Sequence, residues 1–215
     1  MAGFLDQMAA GSRARADAAL AREPLAAVRA RCADSPSPPA LARGGRVDVI
    51  AELKLRSPAL GALGRVGDGL VERVRAYAAG GAAAVSVLTE PDRFDGSLEH
   101  LAAAASALAP LGVPAMRKDF LVDPYQLYEA RAAGAGGALL IIRMLSRDAL
   151  GEMLDCAREL GLFVLLEAFD EGDLVMAEDL IRTEAGASRA GGMETSSLRR
   201  GRDPAGGTPR LAAAL

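Results

Sequence analysis

The sequence predicts an α/β fold, a parallel sheet of the TIM (β/α)8-barrel type, with a helical extension in front and an incomplete C-terminal end. Three observations predict it. From residue 47 onward, short apolar runs alternate with helix-period segments, in units of about 25–30 residues. The apolar runs are nearly continuous rather than alternating with polar residues, the pattern of parallel strands buried on both faces. Before residue 47 the spacing is helical only, and after Arg182 neither period continues.

Residues 1–46 form the extension. Phe4, Leu5, Met8 and Ala9 fall at helical spacing, and an Ala- and Arg-rich segment follows to Arg22. Pro24 interrupts it, and Leu25, Val28 and Ala30 suggest a second helix before the break at Ser35-Pro36-Ser37-Pro38-Pro39. Residues 47–182 carry five βα units. The first strand runs from Val47, with Ile50, Glu52 and Lys54 on one face, and its helix uses Leu70, Val74 and Tyr77 before Gly80-Gly81. Ala83–Leu88 is the second strand, followed by a helix capped by Ser97; Val113–Lys118 is the third. Asp123, Pro124 and Gln126 then supply an N-cap, a first-turn proline and a capping-box partner. Ala138–Ile142 and Leu162–Glu167 are the fourth and fifth strands, with Ser146 capping the helix between them and Leu174, Ala177 and Leu180 marking the last helix. Periodicity alone does not separate a barrel from a doubly wound sheet. Residues 183–215, rich in Gly, Ser, Thr, Pro and Arg, read as an irregular or disordered tail in which only Leu211–Leu215 is apolar.

Composition excludes several function classes. At 215 residues and 51% hydrophobic content the chain is long enough for one sizeable domain. A net charge of −3 with interspersed signs offers no basic surface for nucleic acid. Cys32 and Cys156 lie far apart and make no metal or redox spacing, which fits a reducing compartment. His100 is the only histidine, which argues against a His-based triad or a His-rich metal site; it falls early in a helix and reads as a surface residue. With neither a signal-peptide core nor a membrane-length apolar run, the expectation is a cytoplasmic protein with no membrane partner. Oligomeric state is not legible.

The charged residues at the strand ends carry the functional signal. Glu52 and Lys54 end the first strand, Lys118 the third and Glu167 the fifth, each preceded on the same face by an apolar residue: Ile50, Met116 and Leu165. Three strands ending in phase suggest convergence on one inward site, because alternate barrel strands share a layer. A partly desolvated lysine among other charges can act as a general acid, with a nearby carboxylate as its base partner. Salt bridges closing the barrel mouth, Glu52 with Lys54 or Glu167 with Lys118, are the competing reading. Gly61-Ala62-Leu63-Gly64 matches neither a P-loop nor a dinucleotide fingerprint. Phe94, after the second strand, could stack on a ring or simply pack.

Four segments then become specific: VIAELKLRSPALG (49–61), SVLTEPDRFDGSL (86–98), RKDFLVDPYQLYEARAAGA (117–135) and LGLFVLLEAFDEGDL (160–174). Together, in this order, they resemble indole-3-glycerol phosphate synthase, as does the helical lead; the resemblance covers residues 1–181. It implies a (β/α)8 carboxy-lyase of tryptophan biosynthesis that needs no cofactor and no metal. Such an enzyme closes the indole ring of 1-(2-carboxyphenylamino)-1-deoxyribulose 5-phosphate, a phosphorylated small molecule derived from anthranilate, with loss of carbon dioxide and water. By motif, Lys118 matches the general acid that polarises the substrate carbonyl, and Glu167 the carboxylate serving as base or proton relay in the dehydration. Lys54 matches a lysine that contacts substrate anions and transfers protons, and Glu52 the carboxylate that positions it. Ser57 and Pro58 match the substrate-contacting first loop, and Phe94 and Phe120 the aromatics beside the anthranilate ring. Phe169 stands where the family often has a histidine. After Arg182 there is no counterpart of the sixth-strand GxNxRxL, seventh-strand SESGI or eighth-strand GxxL segments, from which the family draws an asparagine, a glutamate and most of its phosphate grip. The alternative expectation is therefore a truncated or frame-disrupted, inactive remnant acting at most as a protein-docking module. A related barrel isomerase acting on a phosphoribosyl-anthranilate is argued against by RKDF…DPYQ.

Overall fold

The computed structural model describes residues 3–42, 48–57, 61–62, 69–190 and 211–214. Two helices lead the chain, α1 (Phe4–Arg22) and α2 (Leu25–Asp34), divided at Pro24, which stands at the N-cap of α2. The parallel strands are β1 (Ile50–Leu53), β2 (Ala84–Leu88), β3 (Ala115–Lys118), β4 (Gly137–Ile141), β5 (Phe163–Glu167) and β6 (Leu211–Ala214). The helices after the first five strands are α3 (Leu70–Ala79), α4 (Leu98–Leu108), α5 (Pro124–Ala132), α6 (Arg147–Glu159) and α7 (Glu171–Ala190). A small antiparallel pair, Arg56–Ser57 with Gly61–Ala62, follows β1, and a short helix, Pro91–Phe94, follows β2.

The strands bond in chain order, β1 to β6, all parallel. A doubly wound sheet reverses its order at a switch point. Here the order never reverses, so right-handed crossovers send each helix to the same side. That is barrel topology, and it resolves what periodicity left open; among the described residues β1 and β6 stand at the two ends of the sheet.

The two faces bury different sets. Toward the helices, Val85, Val87, Ala138, Leu140, Val164 and Leu166 pack with Leu101, Leu108, Leu127, Leu150 and Met153. On the inner face, Ile50, Ala84, Met116, Leu139, Ile141, Phe163 and Leu165 cluster with Met8 and Leu5 of α1 and with Phe120. Ile50, Met116 and Leu165 thus share the inner face, as their phase predicts, and the charged residue two positions on from each follows them to its rim. Small and large residues alternate across this face. A Cβ on Gly137 would lie 2.4 Å from the ring of Phe163, its cross-strand partner. Gly137→Ala is therefore expected to destabilise the fold by about 1–3 kcal/mol through overpacking, read as a lower urea midpoint at unchanged slope.

The caps form as the sequence predicts. Ser97 accepts from the His100 N–H and Ser146 from the Ala149 N–H. Asp123 accepts from the Tyr125 N–H, while the Gln126 side chain accepts from the N–H groups of Val122 and Asp123. The tail differs from expectation. The last helix runs to Ala190, and Leu211–Ala214 adds a strand in register with Val164–Glu167. The one apolar run of the tail meets the free edge of β5, whose backbone groups need partners; residues 191–210 lie outside the described set.

Both cysteines are buried thiols, and burial pushes Cys156 up to about 11 and raises Cys32 as well. Because the thiolate is the nucleophile, neither is expected to react with iodoacetamide at neutral pH until the chain is unfolded, as intact mass will show. Among the described residues no helix is long and apolar enough to cross a membrane.

Candidate active site

Strand alternation and register build the site. Glu52 pairs across the sheet with Ser86 on β2, and Lys118 with Leu88 one inward step further along. Glu52 and Lys118 therefore rise from β1 and β3, the two neighbours of β2, and reach over it toward each other. The Lys118 ammonium contacts Glu52 Oε2, and the Lys54 ammonium lies 2.7 Å from Glu52 Oε1. Each carboxylate oxygen holds one lysine. All three side chains are about one-third exposed, at 34% for Lys118, 31% for Lys54 and 29% for Glu52. The site is neither dry nor open.

Burial pushes the Glu52 carboxyl up, but its hydrogen bonds from Lys118 and Lys54 outweigh this and hold it below the usual carboxylate value of 4.5. A depressed folded value contributes stability that is present above pH 4.5 and lost as pH falls through the folded value. Glu52→Gln should thus differ from the parent in melting temperature at pH 7, with the gap closing on titration below pH 4.5. Thermal melts across pH 3–7 check it.

These two lysines carry a signal that strand phase did not use. They are the only lysines in the sequence; every other of its 25 basic residues is arginine. An arginine stays charged, whereas a lysine can give up a proton and take it back. A chain that uses arginine everywhere else and keeps lysine only around one carboxylate singles out that cluster as the candidate site.

Glu167, at the end of β5, lies half-buried in phase with Leu165 and opposite Ile141, and its carboxylate pairs with neither lysine. Of the two competing salt bridges, the one between Glu52 and Lys54 forms, and it is shared with Lys118. Phe94, half-buried, packs its ring 6.1 Å from that of Phe120, which meets Phe4 edge-on at 5.9 Å. Pro58 lies outside the described residues, and of Ser57 only the backbone is described, paired with Gly61. His100 is half-buried rather than at the surface, and burial lowers its pKa.

A buried polar network beneath Lys118 escaped the sequence reading. Asp119 accepts from the Thr89 hydroxyl at 2.8 Å, Arg15 at 3.0 Å and its own neighbour, the Phe120 N–H, at 2.8 Å. Arg117 donates to Thr89 at 3.1 Å, the Gln126 carbonyl at 2.7 Å and Glu129 at 3.0 Å. Glu90, fully buried, accepts from the Asp92 and Arg93 N–H groups and so caps the short helix that ends at Phe94. The loop then returns so tightly that a Cβ on Gly96 would sit 2.5 Å from the Leu88 carbonyl oxygen. Gly96→Ala should displace Phe94 and destabilise the fold by about 1–3 kcal/mol, measured by urea unfolding.

Comparison with known proteins gives the family. The model of the indole-3-glycerol phosphate synthase family matches residues 5–185. A Nocardioides indole-3-glycerol phosphate synthase is 47% identical over 172 residues, covering 78% of this chain and 64% of the relative. The proteins of that name from Mycolicibacterium gilvum and Leifsonia xyli are 42% and 43% identical, over 88% and 82% of this chain and 68% of each relative. The chain thus spans about two-thirds of the length of these relatives. On the match over 5–185 and these identities, it belongs to the indole-3-glycerol phosphate synthase family.

Proposed function

We propose that the chain performs the ring closure for which its relatives are named, converting 1-(2-carboxyphenylamino)-1-deoxyribulose 5-phosphate to indoleglycerol phosphate, carbon dioxide and water in tryptophan biosynthesis, in the cytoplasm. The observation that carries this reading is the sharing of Glu52 by the chain's only two lysines at the rim of the inner face.

In this reading Lys118 donates a proton to the substrate carbonyl oxygen as the ring carbon bearing the carboxylate attacks the carbonyl carbon. The new carbon–carbon bond makes the carboxylate a leaving group; loss of carbon dioxide restores the aromatic ring. The former carbonyl oxygen, now a hydroxyl, departs as water when an acid protonates it, and a base removes the remaining proton to complete the indole. Glu167, free of a lysine partner and in phase with the site, suits that base. Lys54 supplies a cation for the substrate's anionic groups and a second exchangeable proton, while Glu52 fixes both ammonium groups and steers them inward. Phe94 and Phe120 offer apolar faces for the anthranilate ring. The proton transfers and charge neutralisation that assist carbon–carbon bond formation, decarboxylation and dehydration are within reach of two lysines and two carboxylates in a partly desolvated site.

The test is growth on medium lacking tryptophan, using a strain deleted for its own indole-3-glycerol phosphate synthase. Expression of this chain should restore growth; failure of a demonstrably folded chain to do so counts against the reading.

A further inference from the structure

Lys118 is held by its backbone as much as by its ion pair. Thr89, the residue after β2, contacts three consecutive residues of β3 and its loop. Its N–H donates to the Lys118 carbonyl at 3.0 Å, its hydroxyl donates to Asp119 at 2.8 Å, and the same oxygen accepts from Arg117 Nε at 3.1 Å. Thr89, Arg117 and Asp119 are all nearly inaccessible, and Asp119 is fixed from the far side by Arg15 of α1. Lys118 projects from the middle of this grip, the one member of the Arg117–Asp119 run whose side chain enters the site.

We propose that Thr89, acting with Asp119, is a positioning residue for Lys118, locking the end of β3 so that the ammonium stays on Glu52. The consequence for turnover rests on the reading of Lys118 as the acid, while the grip itself can be tested without turnover. A strand end pinned on both flanks leaves Lys118 only its own side-chain rotations. Removing the hydroxyl takes a donor from Asp119 and an acceptor from Arg117 together, and both flanks loosen. Thr89→Val removes the hydroxyl at nearly constant shape, and Thr89→Ser keeps it.

Since Lys54 and Lys118 are the only lysines, limited acetylation followed by peptide mass spectrometry reads Lys118 against Lys54 as an internal reference. In Thr89→Val the Lys118:Lys54 ratio is expected to rise about fivefold, the weight of one partly exposed ion pair, and in Thr89→Ser to stay at the parental value. The kcat for indoleglycerol phosphate is expected to fall on the order of tenfold in Thr89→Val, with KM within about twofold, and to recover in Thr89→Ser. An unchanged acetylation ratio in a folded Thr89→Val, even with a lowered melting temperature, overturns the proposal, as does an equal rise in Thr89→Ser. If Thr89→Val does not fold, Asp119→Asn is read the same way: a raised ratio supports the grip and a parental ratio overturns it. Absence of turnover in the unsubstituted chain counts against the proposed activity alone, because the acetylation ratio still decides the positioning.

Discussion

Lys118→Met is expected to lower the rate of indoleglycerol phosphate formation by about 10²–10⁴-fold, the range that one general acid contributes. Methionine approximates the length of the lysine stem, so the change removes the ammonium and little else. Lys54 cannot substitute for it. Its ammonium lies on the other oxygen of Glu52, and it leaves the sheet from β1 rather than β3. The melting temperature should move by only a few degrees, because a pair with about one-third of each side chain exposed contributes little once screened by solvent. Initial rates by product fluorescence, with melts in parallel, separate the two effects. A variant keeping more than about a tenth of parental activity would assign the acid elsewhere.

Arg117→Met is expected to have the largest effect on stability, a loss of about 3–5 kcal/mol. Arg117 is 5% exposed, and its guanidinium lies 3.0 Å from Glu129 and 3.4 Å from Asp119, whose side chain is 1% exposed. Taking away the cation leaves Asp119 with Arg15 and two hydrogen-bond donors, but strands the Glu129 carboxylate and removes a second donor from the Gln126 carbonyl inside α5. Buried acceptors left without donors cost more than the bond itself contributes. Replacing both Arg117 and Glu129 with apolar residues of similar size should recover part of the loss, since an ion pair removed whole leaves no uncompensated charge. Urea unfolding of the parent, Arg117→Met and the double variant checks the order of stabilities.

The sheet and the charged rim were legible in the sequence for the same reason. A strand has a period of two, so Ile50–Glu52, Met116–Lys118 and Leu165–Glu167 fix both the buried face and the residues that end it. Helix starts were legible where a side chain does local work, as at Ser97, Ser146 and Asp123. Strand order was not, because it depends on which edges meet; the absence of a reversal became visible only in the structure. Leu211–Leu215 reads as apolar but not as a strand, since nothing local distinguishes so short a run from a loop until the edge of β5 is beside it. The network around Thr89 was invisible for a related reason. Its links join Arg15 to Asp119 across 104 residues and Thr89 to Asp119 across 30, and no spacing rule reaches that far. The isolation of the two lysines among arginines was there to be counted, and it marks two of the four residues that strand phase marks independently.

The central claim is that Glu52, Lys54 and Lys118 form a working proton-transfer site in this chain. The most direct measurement follows release of labelled carbon dioxide from substrate labelled in its carboxylate, alongside the rise of indole fluorescence, for the purified chain and for Lys118→Met. The two signals are expected to appear together and in equal amounts in the parent and to fall to background in the variant. Equal signals from parent and variant, or background from both folded proteins, would contradict it.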